Sequence, residues 1–346
     1  MHVVSAVHLR PEIRYATVSC ADTDRRARIL EAVRFAPRPF ILYVTRPDEA
    51  DVWLESLREI GLNRVSKFTG DTGPTEREHL LHRWGANALD GMVATSAFGL
   101  GVDKSDVRTV IHATLPQSLD RYYQEVGRAG RDGRAGAALL LHTADDEKQA
   151  RSLALPKPIG DKKAYKRWTG MIDRAQPDPR MSDVSWVDLT RLPSHLNVRS
   201  KASLDWSVKT LTLMARAGLI ELVAMRSAQA DPDETPVDIS ATTWAAVRIL
   251  NNGHRHLDIF TGALAGARDD VREAAGRGVE SMLAVAEGRQ EISVALQQMY
   301  SVHGSMWVSV TACCGGCPVH WVNRQETVIY SAPLSPRLSE FAPRTV

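Results

Sequence analysis

Arg128 and Arg131 stand three residues apart in QEVGRAGRDG, residues 124–133, among the glycines at 127, 130 and 133. A guanidinium is a planar, permanently charged fork that fits phosphate oxygens better than an ammonium does. Continued as a helix, the three-residue spacing sets both groups on one side. In isolation the pair also fits a solvated surface near a helix end, so its neighbours decide. Upstream, MVATSAFGLGVDKSDVRTVIHATLP, residues 92–116, runs from an apolar strand into a turn at Gly99 and Gly101. Missing side chains there let backbone amides approach a ligand, and Asp103 can present a carboxylate to a ribose hydroxyl.

The elements that must position these groups are short apolar β-rich runs alternating with amphipathic stretches from residue 38 to about 150, the pattern of a parallel sheet flanked by helices. FILYVT (40–45) reads as a buried strand. Pro47, Asp48 and Glu49 then open a helix whose inner stripe is Ala50, Trp53, Leu54, Leu57 and Ile60, and Gly61 ends it. RVSKFT, GMVATS, TVIHAT and AALLLHT supply four more strands, with helices over 75–84 and 118–126. Ligands on such sheets gather at the carboxyl ends of the strands.

The whole chain of 346 residues is 44% apolar, enough for two or three compact domains. Its 43 basic and 41 acidic residues nearly cancel, so any basic surface is local. No apolar run approaches the roughly 18–20 residues of a spanning helix, and the N-terminus lacks a leader's apolar core. A cytoplasmic protein with no membrane partner is expected. Four cysteines, three of them at 313, 314 and 317, speak for reduced thiols or a metal site rather than a disulfide framework.

Residues 1–155 are expected to form the first domain. A proline-rich, charged connection follows over 156–182. Residues 183–226 read as short helix, turn, longer helix and strand, the outline of a nucleic-acid-binding winged helix or of a small helical domain. In the longer helix Leu204, Val208, Leu211 and Ala215 are expected inward, with Lys201, Ser207, Lys209 and Arg216 outward. On the winged-helix reading Lys201 and Lys209 contact DNA. Residues 227–346 are expected to be mainly helical beyond a polar loop, with no internal repeat and a Cys/His cluster near the end.

The order of FILYVT, VATSAFGLGVD and QEVGRAGRDG resembles the second motor domain of superfamily-two helicases, and QEVGRAGRDG resembles the RecQ branch in particular. That resemblance implies a RecA-like α/β domain and a 3′ to 5′ ATP-dependent DNA helicase acting on single strands and duplex junctions. It implies that Gln124, Arg128 and Arg131 reach toward ATP held by a first motor domain, with the two arginines as finger residues. It implies nucleotide coupling at Gly101 and Asp103 and DNA-backbone contacts at Thr95 and Ser96. Thr45 with Arg46, and Thr69 with Gly70, fall where further phosphate contacts are implied.

Two parts of such an enzyme are missing. No glycine in the chain is followed by lysine, so there is no G-x-x-x-x-G-K-[ST] phosphate loop. Nor is there a DEAH-like acidic box for Mg²⁺; DETP (233–236) reads as a solvated loop. The chain by itself is expected not to hydrolyse ATP and to need a first RecA-like lobe on another chain or in a longer reading frame. HLRPEIRYATV (8–18) resembles the hinge-side start of the RecQ second domain, so a split gene, a truncated frame or a fragment is expected. The alternative is a DNA-binding and tethering module derived from a helicase.

TACCGGCPVHW (311–321) offers Cys314-x-x-Cys317-x-x-His320 with Cys313 adjacent, and Gly315 and Gly316 permit a tight knuckle. Zn²⁺, an iron–sulfur cluster and plain reduced cysteines all fit the spacing. Tetrahedral zinc needs a fourth ligand, Cys313 or a distant residue such as His303. RecQ helicases carry a four-cysteine zinc subdomain, but directly after the second motor domain, so those ligands do not transfer. The passage is similar to the end of the DpdF-type helicase-like component of bacterial DNA-modification clusters. A stand-alone metalloenzyme lacks a nearby base. Cys20, His254 and His256 read as structural or surface residues.

Overall fold

The computed structural model describes residues 7–8, 10–99, 104–155, 159–190, 201–227, 242–300, 310–311 and 314–324. The chain divides into two compact units, Met1–Leu155 with Ala275–Val346, and Pro156–Ala274.

In the first unit a two-residue strand β1 (Val7–His8) precedes β2 (Ile13–Ser19), α1 (Asp22–Phe35), β3 (Phe40–Tyr43), α2 (Pro47–Glu59), β4 (Val65–Phe68) and α3 (Pro74–Gly85). Then come β5 (Gly91–Ala94), β6 (Thr109–His112), α4 (Leu119–Val126), β7 (Gly136–His142) and α5 (Asp146–Ala154). Strands β2 to β7 form one sheet in the order β2-β7-β6-β3-β5-β4, parallel throughout. This is the expected α/β architecture. Side chains alternate across a strand, so Ile41 and Tyr43 join one core and Phe40, Leu42 and Val44 the other. The first core takes Leu80 and Trp84 from α3 and Leu119, Tyr122 and Val126 from α4; the second takes Ile29, Val33, Ala50, Leu54 and Leu57 from α1 and α2. Each fully buried side chain of this size contributes about 1.5–3 kcal/mol.

The second unit holds α6 (Asp161–Ile172), β8 (Gln176–Pro177), β9 (Val184–Asp188), α7 (Lys201–Arg216), β10 (Ile220–Ser227), β11 (Thr242–Ile249) and the start of α8 (Leu257–Ala286). Its antiparallel sheet runs β10-β11-β9-β8. Four expectations change here. The start of the stretch read as a short helix is the strand β9, whose Val187 enters this unit's core. The stretch 156–182, read as a connection, contains α6, because Ala164, Trp168 and Met171 at helical spacing are buried in this unit's core. The region after 227, read as mainly helical, contributes β11, whose Ala245 and Val247 enter the same core. Ser207, read as outward, is fully buried: Arg167 Nη1 donates to Ser203 O at 2.9 Å, Ser203 Oγ at 3.1 Å and Ser207 Oγ at 3.0 Å. A buried guanidinium needs acceptors, so the face of α7 carrying Ser203, Ser207 and Thr210 turns inward with Leu211 and Met214, while Leu204 and Val208 are only partly covered. Lys209 is exposed, its Nζ 4.7 Å from the Trp206 ring centre. The Lys201 side chain, the turn at 191–200, the loop with DETP at 233–236, and His303 lie outside the described residues.

The chain returns to the first unit with the end of α8, then α9 (Ile292–Tyr300), β12 (Val310–Thr311), which pairs with β1, and α10 (Pro318–Asn323). Val279, Met282 and Leu283 of α8 and Ile292 and Leu296 of α9 complete the first core.

Candidate functional site

The arginine pair does not continue a helix. Helix α4 ends at Val126, Gly127 is its cap, and residues 127–133 form a run of turns. Ser118 starts the helix by accepting from the Arg121 amide at 3.2 Å. The loop is tied down by backbone bonds from Gly130 N to Val107 O at 2.8 Å and from Asp132 N to Ser105 O at 3.1 Å. Arg10 clamps it from below in sequence: Nη1 donates to Gly127 O at 2.9 Å and Nη2 to Gly130 O. Arg108, nearly buried, pairs with Asp132. Burial works against the Asp132 charge, but the Arg108 hydrogen bond and the Arg134 amide outweigh it and hold this carboxyl below its usual range.

Within this frame Arg128 is half-buried and donates from Nη2 to Gly99 O at 2.7 Å, which joins the loop to the turn after β5. Arg131 is exposed, its Nε 3.2 Å from Gly127 O. Gln124 is exposed and donates to Asp120 at 2.8 Å. Gly101 and Asp103 lie outside the described residues.

A cleft of about 220 Å³ opens at the carboxyl ends of β3 and β6, beside the residue that follows β5 by two. Tyr43, Thr45, Ser96, His112, Thr114, Gln117, Arg121 and Glu125 are among its lining residues. Register explains the gathering, since Tyr43 pairs with both Ala94 and His112, so the residues after each strand emerge side by side. Thr45 Oγ1 and Thr114 Oγ1 are 2.8 Å apart. His112 Nε2 lies 2.9 Å from Glu125 Oε2, and Arg121 Nε donates to the other carboxylate oxygen at 3.2 Å. The Tyr43 ring stacks on His112 at 5.3 Å, and its hydroxyl donates to Phe98 O at 3.1 Å. Burial pushes that hydroxyl well above its ordinary pKa, so it stays a donor. Hydroxyls and one guanidinium at the rim, over a buried His–Glu pair, make a site suited to an oxyanion such as a phosphodiester.

Of the other expected contacts, Arg46 is exposed and paired with Asp48 at 3.0 Å and Glu49 at 3.2 Å. Thr69 is buried and accepts the Asp71 amide at 3.2 Å, Gly70 is exposed, and Thr95 is buried. None of these four lines the cleft. Thr114, Arg121, His112 and Glu125 were not singled out by sequence reasoning, although a histidine closing the apolar strand TVIH was a visible signal. Arg10 gave none, being more than 110 residues from its partners.

Near the C-terminus Cys314, Cys317 and His320 come together, their ligand atoms all within 4.8 Å of one another. Gly315 approaches the backbone so closely that a Cβ would lie 2.6 Å from Pro11 O, and Gly316 has φ +120. Both glycines of the expected knuckle are therefore required. The hydrogen bond between the two thiols holds Cys317 below the usual thiol range and pushes Cys314 above it. Cys313 lies outside the described residues.

Residues 26–133 match the helicase conserved C-terminal domain. The ATP-dependent DNA helicase Q1 of Rattus norvegicus is 32% identical over 154 residues, 44% of this chain and 25% of that protein. The ATP-dependent DNA helicase RecQ of Bacillus subtilis is 42% identical over 106 residues, 31% of this chain and 18% of that protein. Among solved structures, the E. coli DEAD-box protein SrmB bound to RraA is similar over 41% of this chain and 81% of that chain, at 26% identity and a TM-score of 0.35. The chain thus spans a quarter or less of the length of these two DNA helicases. Residues 26–133, within the six-stranded unit, thus match a helicase C-terminal domain, and this part of the chain is similar to RecQ-type DNA helicases.

Proposed function

We propose that the chain is the arginine-bearing half of an ATP-driven, 3′ to 5′ DNA motor. Gln124, Arg128 and Arg131 complete a nucleotide site whose phosphate loop and Mg²⁺-binding carboxylates belong to a first RecA-like lobe. The observation that carries this reading is the loop 127–133, fixed by Arg10, Arg108 and the Val107 carbonyl, with Arg128 half-buried and Arg131 exposed at its surface. Such a loop holds cationic groups in place ahead of the developing charge they are to stabilise, so little reorganisation accompanies the reaction. The lack of any Gly-Lys pair in the chain supports assigning the rest of the site to another lobe. Thr45, Ser96, Thr114 and Arg121 grip a single-strand phosphate in the cleft, and the second unit, through Lys201 and Lys209, meets duplex DNA as a winged helix.

The test is reconstitution. Mixed with a matching first motor domain, the chain restores DNA-stimulated phosphate release from ATP, and Arg131→Ala lowers that release by about 10³–10⁵-fold. Undiminished turnover in the variant, or ATP hydrolysis by the purified chain alone, would refute the proposal. Salt-dependent DNA binding that never responds to nucleotide in the mixture would favour the tethering module instead.

A further inference from the structure

The motor reading leaves the cysteine knuckle without a task, and its geometry is specific. Cys314 is 6% exposed and Cys317 fully buried, while His320 is half-buried. His320 Nδ1 lies 3.7 Å from Cys314 Sγ and 3.2 Å from Cys317 Sγ. Tetrahedral zinc, with Zn–S near 2.3 Å and Zn–N near 2.0–2.1 Å, holds its sulfur and nitrogen ligands about 3.6 Å apart. The two sulfur–nitrogen distances bracket that spacing, and all three donor atoms lie within 4.8 Å of one another. The other ring nitrogen, Nε2, faces Glu291 Oε1 at 3.7 Å. Metal-bound imidazoles are typically oriented in this way, one nitrogen to the ion and the other toward a carboxylate.

The knuckle is also joined to the sheet. Gly315 N donates to Ile13 O at 3.0 Å, Tyr15 N to Gly316 O at 2.8 Å, and Trp321 Nε1 to Tyr15 O at 3.1 Å. These three bonds run along the outer margin of β2, whose other side pairs with β7. We infer that Cys314 Sγ, Cys317 Sγ and His320 Nδ1 supply three of the four ligands of one thiophilic divalent cation of the zinc type, that Glu291 orients His320, and that the ion fastens residues 314–324 along β2. An iron–sulfur cluster is disfavoured because the three donors include an imidazole, where such clusters generally take four thiolates. The site is independent of the nucleotide chemistry, so it stands or falls apart from the motor reading.

The full chain, purified without a metal-binding tag under reducing conditions, is expected to carry one zinc ion per polypeptide. Cys314→Ser, Cys317→Ser and His320→Asn each abolish it, whereas Cys313→Ser retains it. Because a variant can fail to fold, the wild-type chain is also stripped with a chelator and titrated with Co²⁺. Tetrahedral visible absorption with thiolate charge-transfer bands at one equivalent supports the site. Glu291→Gln keeps the stoichiometry and spectrum but weakens the metal affinity by roughly 10–100-fold. In hydrogen exchange, chelation strips protection from the Tyr15 amide. Metal-free protein with Cys314 and Cys317 joined as a disulfide, iron in place of zinc, loss of metal in Cys313→Ser equal to that in Cys314→Ser, undiminished affinity in Glu291→Gln, or a Tyr15 amide indifferent to chelation would overturn the assignment.

Discussion

Gly130→Ala set against Gly133→Ala separates two reasons for a glycine in the arginine loop. Both residues have positive φ, +62 and +78. That region costs a residue with a side chain about 1–2 kcal/mol, offset by the about 0.4–1 kcal/mol that alanine returns by stiffening the unfolded chain. Each variant therefore starts at a loss of about 0–1.6 kcal/mol. Only at 130 does the new methyl meet backbone, 2.5 Å from Arg134 O, whereas at 133 nothing lies within 4 Å. Overpacking against atoms that cannot give way costs about 1–3 kcal/mol. Gly130→Ala should thus unfold at lower urea than Gly133→Ala by that difference, read by circular dichroism with equal slopes. The same displacement moves Arg128 and Arg131, so Gly130→Ala should also depress phosphate release in the reconstituted motor more than Gly133→Ala does. Coincident unfolding midpoints for the two variants would refute the argument that the Arg134 carbonyl leaves no room for a side chain at 130.

Arg10→Ala removes the guanidinium bound to the Gly127 and Gly130 carbonyls. Reconstituted turnover should fall by up to about 10²-fold through misplacement of Arg128 and Arg131, with DNA affinity held; unchanged turnover would exclude the clamp. In the second unit, Trp168 Nε1 donates to His254 Nδ1 at 3.0 Å, which requires that nitrogen to be unprotonated. Burial first, and Arg255 second, depress the His254 pKa, so its stabilising share is complete above the unfolded value near 6.5 and is lost as pH falls through the folded value. His254→Asn should flatten the drop in urea midpoint between pH 7.5 and pH 5.5, and an unaltered drop would show that another group governs it. Gly315→Ala places a methyl 2.6 Å from Pro11 O and 2.8 Å from Ile13 O. It should cost about 1–3 kcal/mol and speed exchange of the Tyr15 amide, both measurable without metal.

What could be read from the sequence was local. Pro47 at the first turn of α2, the four buried residues of FILY and the ordered glycine-arginine passages each announce themselves within a few positions. Helix α1 does not, because half of DTDRRARILEAVRF is charged and only Ile29 and Val33 are buried. Helix α6 follows a proline-rich passage and begins DKK, so its apolar face is carried by a few residues beyond a solvated start. The burial of Ser207 depends on Arg167, 40 residues away. The arginine pair itself was legible as chemistry but not as geometry. The spacing suggested a helical turn, whereas Gly127 and Gly130 redirect the chain and leave one arginine half-buried and the other exposed. Strand order gathers Thr114, His112 and Glu125 at one mouth, and no spacing along the chain encodes that order.

An open sheet has two flanks at which a stranger's backbone could add itself, and in this molecule they are treated differently. One flank is occupied by the chain's own Gly315 and Gly316, which fill the amide and carbonyl positions of Tyr15 and Ile13. The opposite flank, β4, spans only four residues and carries Lys67, ion-paired with Asp51, and short, charged borders resist accretion. If loss of the proposed ion frees the knuckle, the first flank becomes the vulnerable one, so oxidation or chelation should show itself as self-association before any change in the arginine loop.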